Sequence, residues 1–265
     1  MPVVILCGGK GLRMRDYSDN VPKALVPIGG WPILLHVMKI YAHYGFKKFI
    51  LCLGYKGDVI KEYFMNYEWK SGNFLLYNEN SQRKVKYEKE LENFEVNFVD
   101  TGLETESGAR IKKIEKYIDT EDFLANYTDG LSDVNISDLY TFHKKMGKIA
   151  TVTGVHQMSN FGIIEEENGI VQSFKQKPAL PGWVNGGFFV FNRKIFDYLN
   201  ENSNLEEETL IKLAEEKQLA IYKHEKFWTC MDTHKDVHRL NELWEKHTMP
   251  NTGFKGLPPW KVWND

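Results

Sequence analysis

The chain has 265 residues with 34 Lys+Arg against 36 Asp+Glu, long enough for one large α/β domain or two small ones, and its formal charge of −2 excludes a global basic field for gathering nucleic acid. Its three cysteines, Cys7, Cys52 and Cys230, show no C-x-x-C spacing and two sit in apolar runs that read as buried strands, which fits a reduced cytoplasmic setting. The start lacks a charged segment leading into a long apolar one, and no window nears about 18 uninterrupted apolar residues, so a soluble protein, neither secreted nor membrane-spanning, is expected.

In chain order, Val3–Cys7 predicts a strand, followed after a glycine-rich loop by WPILLHVMKIYAHYGF, whose Ile33, Leu34, Val37, Met38 and Tyr41 fall at helical spacing until Gly45 stops it. KFILCLG is a short, almost wholly apolar run, as in parallel strands covered on both faces. GDVIKEYFMNY reads as a helix, EVNFVDTG as a strand, SGARIKKIEKYI as a helix, DFLANYTDG as a strand, and VNISDLYTFHKKMG as a helix leading into IATVTGVH. This alternation predicts a Rossmann-like α/β fold with a doubly wound, mainly parallel sheet. The Lys- and Glu-rich stretch Asn78–Glu95 predicts an exposed loop or edge.

After residue 157 the pattern changes. FGIIEEENGIVQSFKQKP predicts an additional hairpin turning at Asn168-Gly169. GGFFVFN predicts a strand, KIFDYLNEN and TLIKLAEEKQ helices, LAIYKH a strand, and FWTCMDTHKDVHRLNELWEKH a segment that ends in a helix before an irregular Trp- and Pro-rich C-terminal region. The division is thus 1–157, a nucleotide-binding α/β portion, and 158–265, an acceptor-substrate portion with the tail, packed as one domain.

The loop LCGGKGLRM carries the chemistry. Glycines after the first parallel strand let backbone N–H groups approach a phosphate, yet GGKGLR has neither the G-x-G-x-x-G spacing nor the G-K-[ST] ending of a P-loop. Arg13 and Lys23 occupy the same strand-to-helix connection, with Pro22 fixing the backbone before Lys23. Two cations beside such a loop suit a polyphosphate.

GGKGLRM followed by PKALVPIGGWPIL resembles the signature G-G-x-G-T-R-L … P-K-x-x-x-P-[IV]-x-x-x-P-[IL] of the sugar-1-phosphate nucleotidyltransferases. GYKGDVIKEYFMNY, VNFVDTG, SGARIKKI, VNGGFFVFN, FW-x-x-MDT and PWKVW extend the likeness over nearly the whole chain, toward the glucose-1-phosphate cytidylyltransferase branch. The resemblance implies CTP, a divalent metal (Mg²⁺ or Mn²⁺) and a phosphorylated acceptor, α-D-glucose 1-phosphate, giving CDP-glucose and pyrophosphate. It also implies a homo-oligomer. By residue-to-residue match, Arg13 would grip the β- and γ-phosphates and Lys23 would serve the α-phosphate and the incoming phosphate. Asp129 and Asp232 would hold the metal. Leu6, Gly8, Gly9, Gly11, Thr101, Gly102, Ser107, Arg110 and Thr128 would form the nucleotide pocket, and Gln176, Lys177, Asn185 and Gly186 the acceptor site.

Four departures stand out. Leu12 replaces the threonine of G-T-R and Thr128 the first glycine of G-D-G. Gln176 stands where the branch has glutamate, and Asn160 where it tends to have arginine. An amide both donates and accepts, so the second pair leaves open a different sugar phosphate, or a small non-sugar phosphate or phosphoramidate. A homologue that kept the fold and lost activity is the other alternative, opposed by the retention of Arg13, Lys23, Asp129 and Asp232. An insertion near His247–Gly256 predicts a loop at a pocket rim or subunit contact, and Trp260 and Trp263 read as packing anchors that could cover a neighbouring subunit.

Overall fold

The computed structural model describes residues 1–11, 21–67, 72–79, 82–88, 93–159, 161–248 and 256–263. Arg13, Leu12, Asn160 and most of the His247–Gly256 insertion therefore lie outside the described residues. Seven strands build the central sheet: β1 (Val3–Leu6), β2 (Lys48–Leu53), β3 (Glu95–Asp100), β4 (Asp122–Tyr127), β5 (Ala150–Val155), β6 (Val184–Asn192) and β7 (Leu219–Lys223). Their spatial order is β7-β5-β6-β4-β1-β2-β3. All neighbours are parallel except at β6, which runs antiparallel to both β4 and β5.

Strand pleat explains the unbroken apolar runs. Val3 and Ile5 enter one buried cluster with Phe49 and Leu51, while Val4 enters a second with Ile50, Cys52, Phe123 and Phe189, so both sheet faces are covered. The first face receives helix α1 (Ile33–His43), whose Ile33, Leu34, Val37, Met38 and Tyr41 are buried as their spacing predicts. Helix α2 (Gly57–Met65) follows β2, and helix α3 (Ser107–Lys113) sends Ile111 into the second cluster. Helix α4 (Ile136–Met146) is capped by the Asn135 side chain, which accepts from Asp138 N–H, and ends at left-handed Gly147.

The sheet takes strands from both sides of residue 157, with β6 inserted between β4 and β5. The hairpin Gly162–Glu167/Ile170–Gln176 turns at Asn168 and Gly169, both at positive φ, the geometry of a type I′ turn. Two details differ from the sequence reading. Asn78–Glu95, expected as an exposed loop or edge, is largely exposed over Gln82–Tyr87, but that stretch is a regular strand paired antiparallel with Phe74–Glu79 in a separate ribbon. KIFDYLNEN makes only 3-10 turns over Arg193–Tyr198, short because Ile195 and Phe196 anchor it to the core. Helix α5 (Leu210–Glu215) is preceded by a single π turn, Leu205–Thr209, and helix α6 (His234–Thr248) closes the fold.

Trp260 and Trp263 are buried within their own chain, around His36 of α1. Trp260 Nε1–H donates to His36 Nδ1 at 3.2 Å, so the ring proton sits on Nε2 and donates to the Ile28 carbonyl at 2.9 Å. Burial drives the His36 pKa down to about 4, which keeps this junction neutral. Among the described residues no helix is long and apolar enough to cross a membrane.

Candidate active site

The chain leaves β1, travels to β2 and β3 on one side, and returns to β4 on the other, so the sheet's switch point lies between β1 and β4. In open α/β sheets the crevice beyond the carboxyl ends of strands at such a point is where ligands bind. Two cavities occupy that crevice. The first, about 430 Å³, is lined by Gly8, Gly9, Lys10 and Gly11, by Leu103 to Glu106, and by Lys23, Arg110 and Asp232. The second, about 350 Å³, is lined by Tyr127, Asp129 and Gly130, by Gln157, by Val184 to Gly187, and by Trp228, Cys230 and Asp232. Asp232 belongs to both.

At this junction Lys23 Nζ donates to Asp129 Oδ2 at 2.6 Å and to Asp232 Oδ1 at 2.7 Å. The three side chains arrive from positions 106 and 209 residues apart in sequence. A small antiparallel ribbon explains the meeting of the acids. Gly130–Ser132 pairs with Trp228–Cys230, Cys230 opposite Gly130, and Met231 N–H donates to the Asp129 carbonyl at 2.9 Å, so Asp129 and Asp232 leave adjacent ends of one ladder. Thr233 and Asp236 then form a capping box at the start of α6: Asp236 Oδ2 accepts from Thr233 N–H at 2.8 Å, and Thr233 Oγ1 accepts from Asp236 N–H at 3.3 Å. Lys23 is presented by a 3-10 turn anchored through buried Ala24 and Leu25.

Burial pulls the Lys23 ammonium toward deprotonation, and the charges and hydrogen bonds of Asp129 and Asp232 more than reverse it, leaving its pKa above the ordinary lysine value. One ammonium against two carboxylates leaves the trio negative, a poor host for a polyphosphate until a further cation is present. Among the described residues no set of three or more His, Cys, Asp or Glu side chains gathers to hold a metal. Two carboxylates suffice for a hard ion that keeps waters and takes phosphate oxygens as its remaining ligands. Cys230 Sγ lies 3.8 Å from Asp232 Oδ2, and burial with that carboxylate raises its pKa to about 12, so it stays a thiol.

The glycines divide the work. A Cβ on Gly8 would fall 2.1 Å from Arg110 Nη1, so this glycine makes room for the guanidinium, whereas Gly9 has nothing within 4 Å and Gly11 sits at φ +60. Arg110 is a brace. Its Nη1 donates to the Leu53 and Gly102 carbonyls and to Thr101 Oγ1 at 3.1, 2.7 and 2.7 Å, and its Nη2 to the Gly8 and Leu103 carbonyls at 3.2 and 3.1 Å. Burial lowers its pKa, and the carbonyl dipoles carry a charge that has no paired carboxylate among these contacts.

The predicted residues thus sort by position. Gly8, Gly9, Gly11, Lys23 and Arg110 meet at the first cavity, Asn185, Gly186 and Asp129 at the second, and Asp232 at both. Leu6, Thr101, Gly102, Ser107 and Thr128 line neither: Thr101 and Gly102 hold Arg110, and the Ser107 hydroxyl donates to Glu206. Gln176 and Lys177 are exposed on the hairpin outside the cavity linings. Sequence reasoning missed Lys10, whose ammonium meets Glu104 Oε1 at 2.5 Å across the first cavity, and also Tyr127 and Trp228. Lys10 stood inside the quoted glycine loop and could have been found there. Tyr127 and Trp228 carried no local signal.

A crevice at the switch point, a glycine loop on one side and a lysine between two acids define a nucleotidyltransferase. The chain belongs to the nucleotidyl transferase family, whose sequence profile matches residues 2–251. It is 43% identical over 265 residues, 99% of this chain and 100% of the relative, to a probable glucose-1-phosphate cytidylyltransferase of Bacillus subtilis. It is 41% identical over 266 residues, again 99% of this chain and 100% of the relative, to the glucose-1-phosphate cytidylyltransferase of Salmonella typhi. HddC of Yersinia pseudotuberculosis, solved in complex with GMP-PN, shares the fold at a TM-score of 0.65 and 22% identity, covering 91% of this chain and 98% of that one. Enzymes of this family generally use a divalent metal.

Proposed function

We propose that this chain joins CTP to α-D-glucose 1-phosphate, giving CDP-glucose and pyrophosphate. The observation that carries the reading is Lys23 bound between Asp129 and Asp232 at the boundary of two cavities. The first cavity takes the triphosphate of CTP and the second takes glucose 1-phosphate, so the α-phosphorus lies near their junction. An oxygen of the sugar phosphate attacks that phosphorus, the new P–O bond forms, and the bond to pyrophosphate breaks with its electron pair on the leaving oxygen. No protein atom forms a covalent bond in this step. Catalysis rests on alignment and on charge placed in advance.

Lys23, kept protonated by its two acids, neutralises charge at the transferring phosphorus and offsets repulsion between the two anionic substrates. Gly9 and Gly11 supply backbone N–H groups, and Arg13, by its motif match, grips the β- and γ-phosphates. Asp129 and Asp232 are the residues that would hold Mg²⁺, or Mn²⁺, which when bound supplies Lewis-acid stabilisation of phosphate oxygens. Asn185 and Gly186 face the sugar, while Gln176 and Lys177, matched to the acceptor site by motif, stand on the hairpin outside the cavity wall. The free thiols Cys7, Cys52 and Cys230 favour a cytoplasmic setting. The ribbons Phe74–Glu79/Gln82–Tyr87 and Gly162–Glu167/Ile170–Gln176 expose Phe74, Leu75 and Phe174, and Phe161 just before the second is exposed as well, which favours a homo-oligomer that covers them.

Gln176 supports a second reading, a cytidylyltransferase for another phosphorylated acceptor. Pyrophosphate release measured with CTP, UTP, dTTP and GTP against a panel of sugar and polyol phosphates tests both. Clear preference for CTP with glucose 1-phosphate is expected. Preference for a different phosphate moves the assignment to the second reading, and no release with any pair defeats both.

A further inference from the structure

Tyr127 ends β4, two residues before Asp129, and lines the second cavity. Its ring is fixed on two sides. Phe189 meets it edge-on at 5.5 Å between centroids, and Gly187 stands at φ +80 where a Cβ would fall 2.6 Å from Tyr127 Cδ2. Only glycine at 187 leaves this ring its place.

The phenol is held as firmly as the ring. Tyr127 O–H donates to Glu206 Oε1, and the other carboxylate oxygen of Glu206 accepts from Ser107 Oγ at 2.6 Å. Glu206 is itself locked in the π turn, where Asn204 Oδ1 accepts from Glu206 N–H at 3.0 Å and Glu207 N–H at 2.9 Å. Ser107 Oγ in turn accepts from Leu205 N–H at 3.0 Å. The network therefore runs from α3, which borders the first cavity, to the wall of the second.

A phenol whose single proton is committed outward presents only oxygen lone pairs to the cavity. Asn185 Nδ2–H donates to that oxygen at 3.5 Å, so one acceptor position is shared with the side chain already matched to sugar hydroxyls and the other is left for the cavity. We propose that Tyr127 is a specificity-determining residue, its phenolic oxygen accepting a hydrogen bond from a hydroxyl of the sugar, and that Glu206 is the positioning residue that turns the phenol's proton away from the site. This rests on assigning the second cavity to glucose 1-phosphate. The arrangement selects a substrate group that donates: a hydroxyl fits, and fluorine at the same carbon does not.

The test is steady-state kinetics of the wild-type enzyme and of Tyr127→Phe with glucose 1-phosphate and its singly deoxygenated and fluorinated analogues. Tyr127→Phe keeps the ring and is expected to raise KM for glucose 1-phosphate about 5- to 10-fold, the size of one neutral hydrogen bond, with kcat and KM for CTP within about 2-fold. In the wild type, deoxygenation and fluorination at one ring position should both weaken binding, and in Tyr127→Phe that loss should vanish at the same position. Glu206→Gln removes the charge that fixes the proton, and KM for glucose 1-phosphate should again rise without a change in KM for CTP; this variant carries the comparison if Tyr127→Phe fails to fold. An unchanged KM for glucose 1-phosphate in both variants, or analogue losses identical to those of the wild type, overturns the proposal. A rise in KM for CTP alone shows instead that the cavity assignment is wrong.

Discussion

One wall of the first cavity is made from chain-local backbone: the glycine loop after β1 and the turn at residues 101–106, drawn together by Arg110. The second cavity is made from side chains of four separate segments, with Tyr127, Gln157, Asn185 and Trp228 converging on a gap left by Gly186 and Gly187. Trp228 Nε1–H donates to the Gly186 carbonyl at 2.8 Å, and a Cβ on Gly186 would lie 2.8 Å from Val155. Backbone amides recognise phosphate whatever the side chains around them, so the first wall suits the part common to all nucleoside triphosphates. Side chains discriminate among hydroxyl patterns, so the second suits a substrate that differs between relatives.

The largest effect is expected where the cavities meet, because the proposed reading has Lys23 act on both substrates. Lys23→Ala should lower kcat by a factor of about 100 to 1,000, the cost of losing one preorganised charge at a transition state, while leaving CTP binding measurable by calorimetry. Turnover unchanged in that variant would remove the junction from the mechanism. Arg110→Lys probes the first cavity alone. Lysine has three donors for the five acceptors that Arg110 now serves; the Leu53 and Gly8 carbonyls keep the Thr101 and Tyr55 N–H groups, so the cost falls on whichever of Gly102 O, Leu103 O and Thr101 Oγ1 lysine fails to reach, at roughly 1–3 kcal/mol each. A Tm lower by about 5 °C or more and a raised KM for CTP should follow, with KM for glucose 1-phosphate unchanged. An equal rise in both KM values would erase the distinction between the walls.

This division also explains how much could be read in the sequence. The parallel strands, α1 and the glycine loop announce themselves through unbroken apolar runs, helical spacing and a run of glycines, all set by neighbours close in the chain. Lys23, Asp129 and Asp232 were found through their motifs, and the fold shows why they meet: a three-residue ladder fixes the two acids at adjacent ends. No local pattern announces Tyr127, whose role depends on Glu206, 79 residues away. Arg110 was legible as important, but its use as a brace was not, since it follows from Gly8 and Gly54 leaving a space that only the folded loops define. Antiparallel β6 likewise looks like any other apolar strand until its pairing with β4 is seen.

Gln176 offers the finest probe of the comparison. It pairs with Gly162 at the end of the hairpin, exposed and outside the cavity wall, whereas the resemblance puts a sugar-reading carboxylate at this position. The hairpin is continued toward the cavity by Ser159 N–H donating to the Pro178 carbonyl at 2.8 Å and Leu180 N–H donating to the Gln157 carbonyl at 2.8 Å, and Gln157 is a wall residue. The ribbon is thus tied to the second cavity. Gln176→Glu exchanges an amide that can donate or accept for a charged acceptor, and charged hydrogen bonds are the stronger kind. Exposure to water cuts the gain, so kcat/KM for glucose 1-phosphate should rise only about 3-fold, with KM for CTP unchanged. The ratio of kcat/KM between glucose 1-phosphate and a deoxygenated analogue is the decisive reading, because a carboxylate that touches the sugar must widen it. A ratio equal to that of the unaltered enzyme would mean that specificity resides wholly in the buried wall around Tyr127 and Asn185, and that the hairpin contributes none of it.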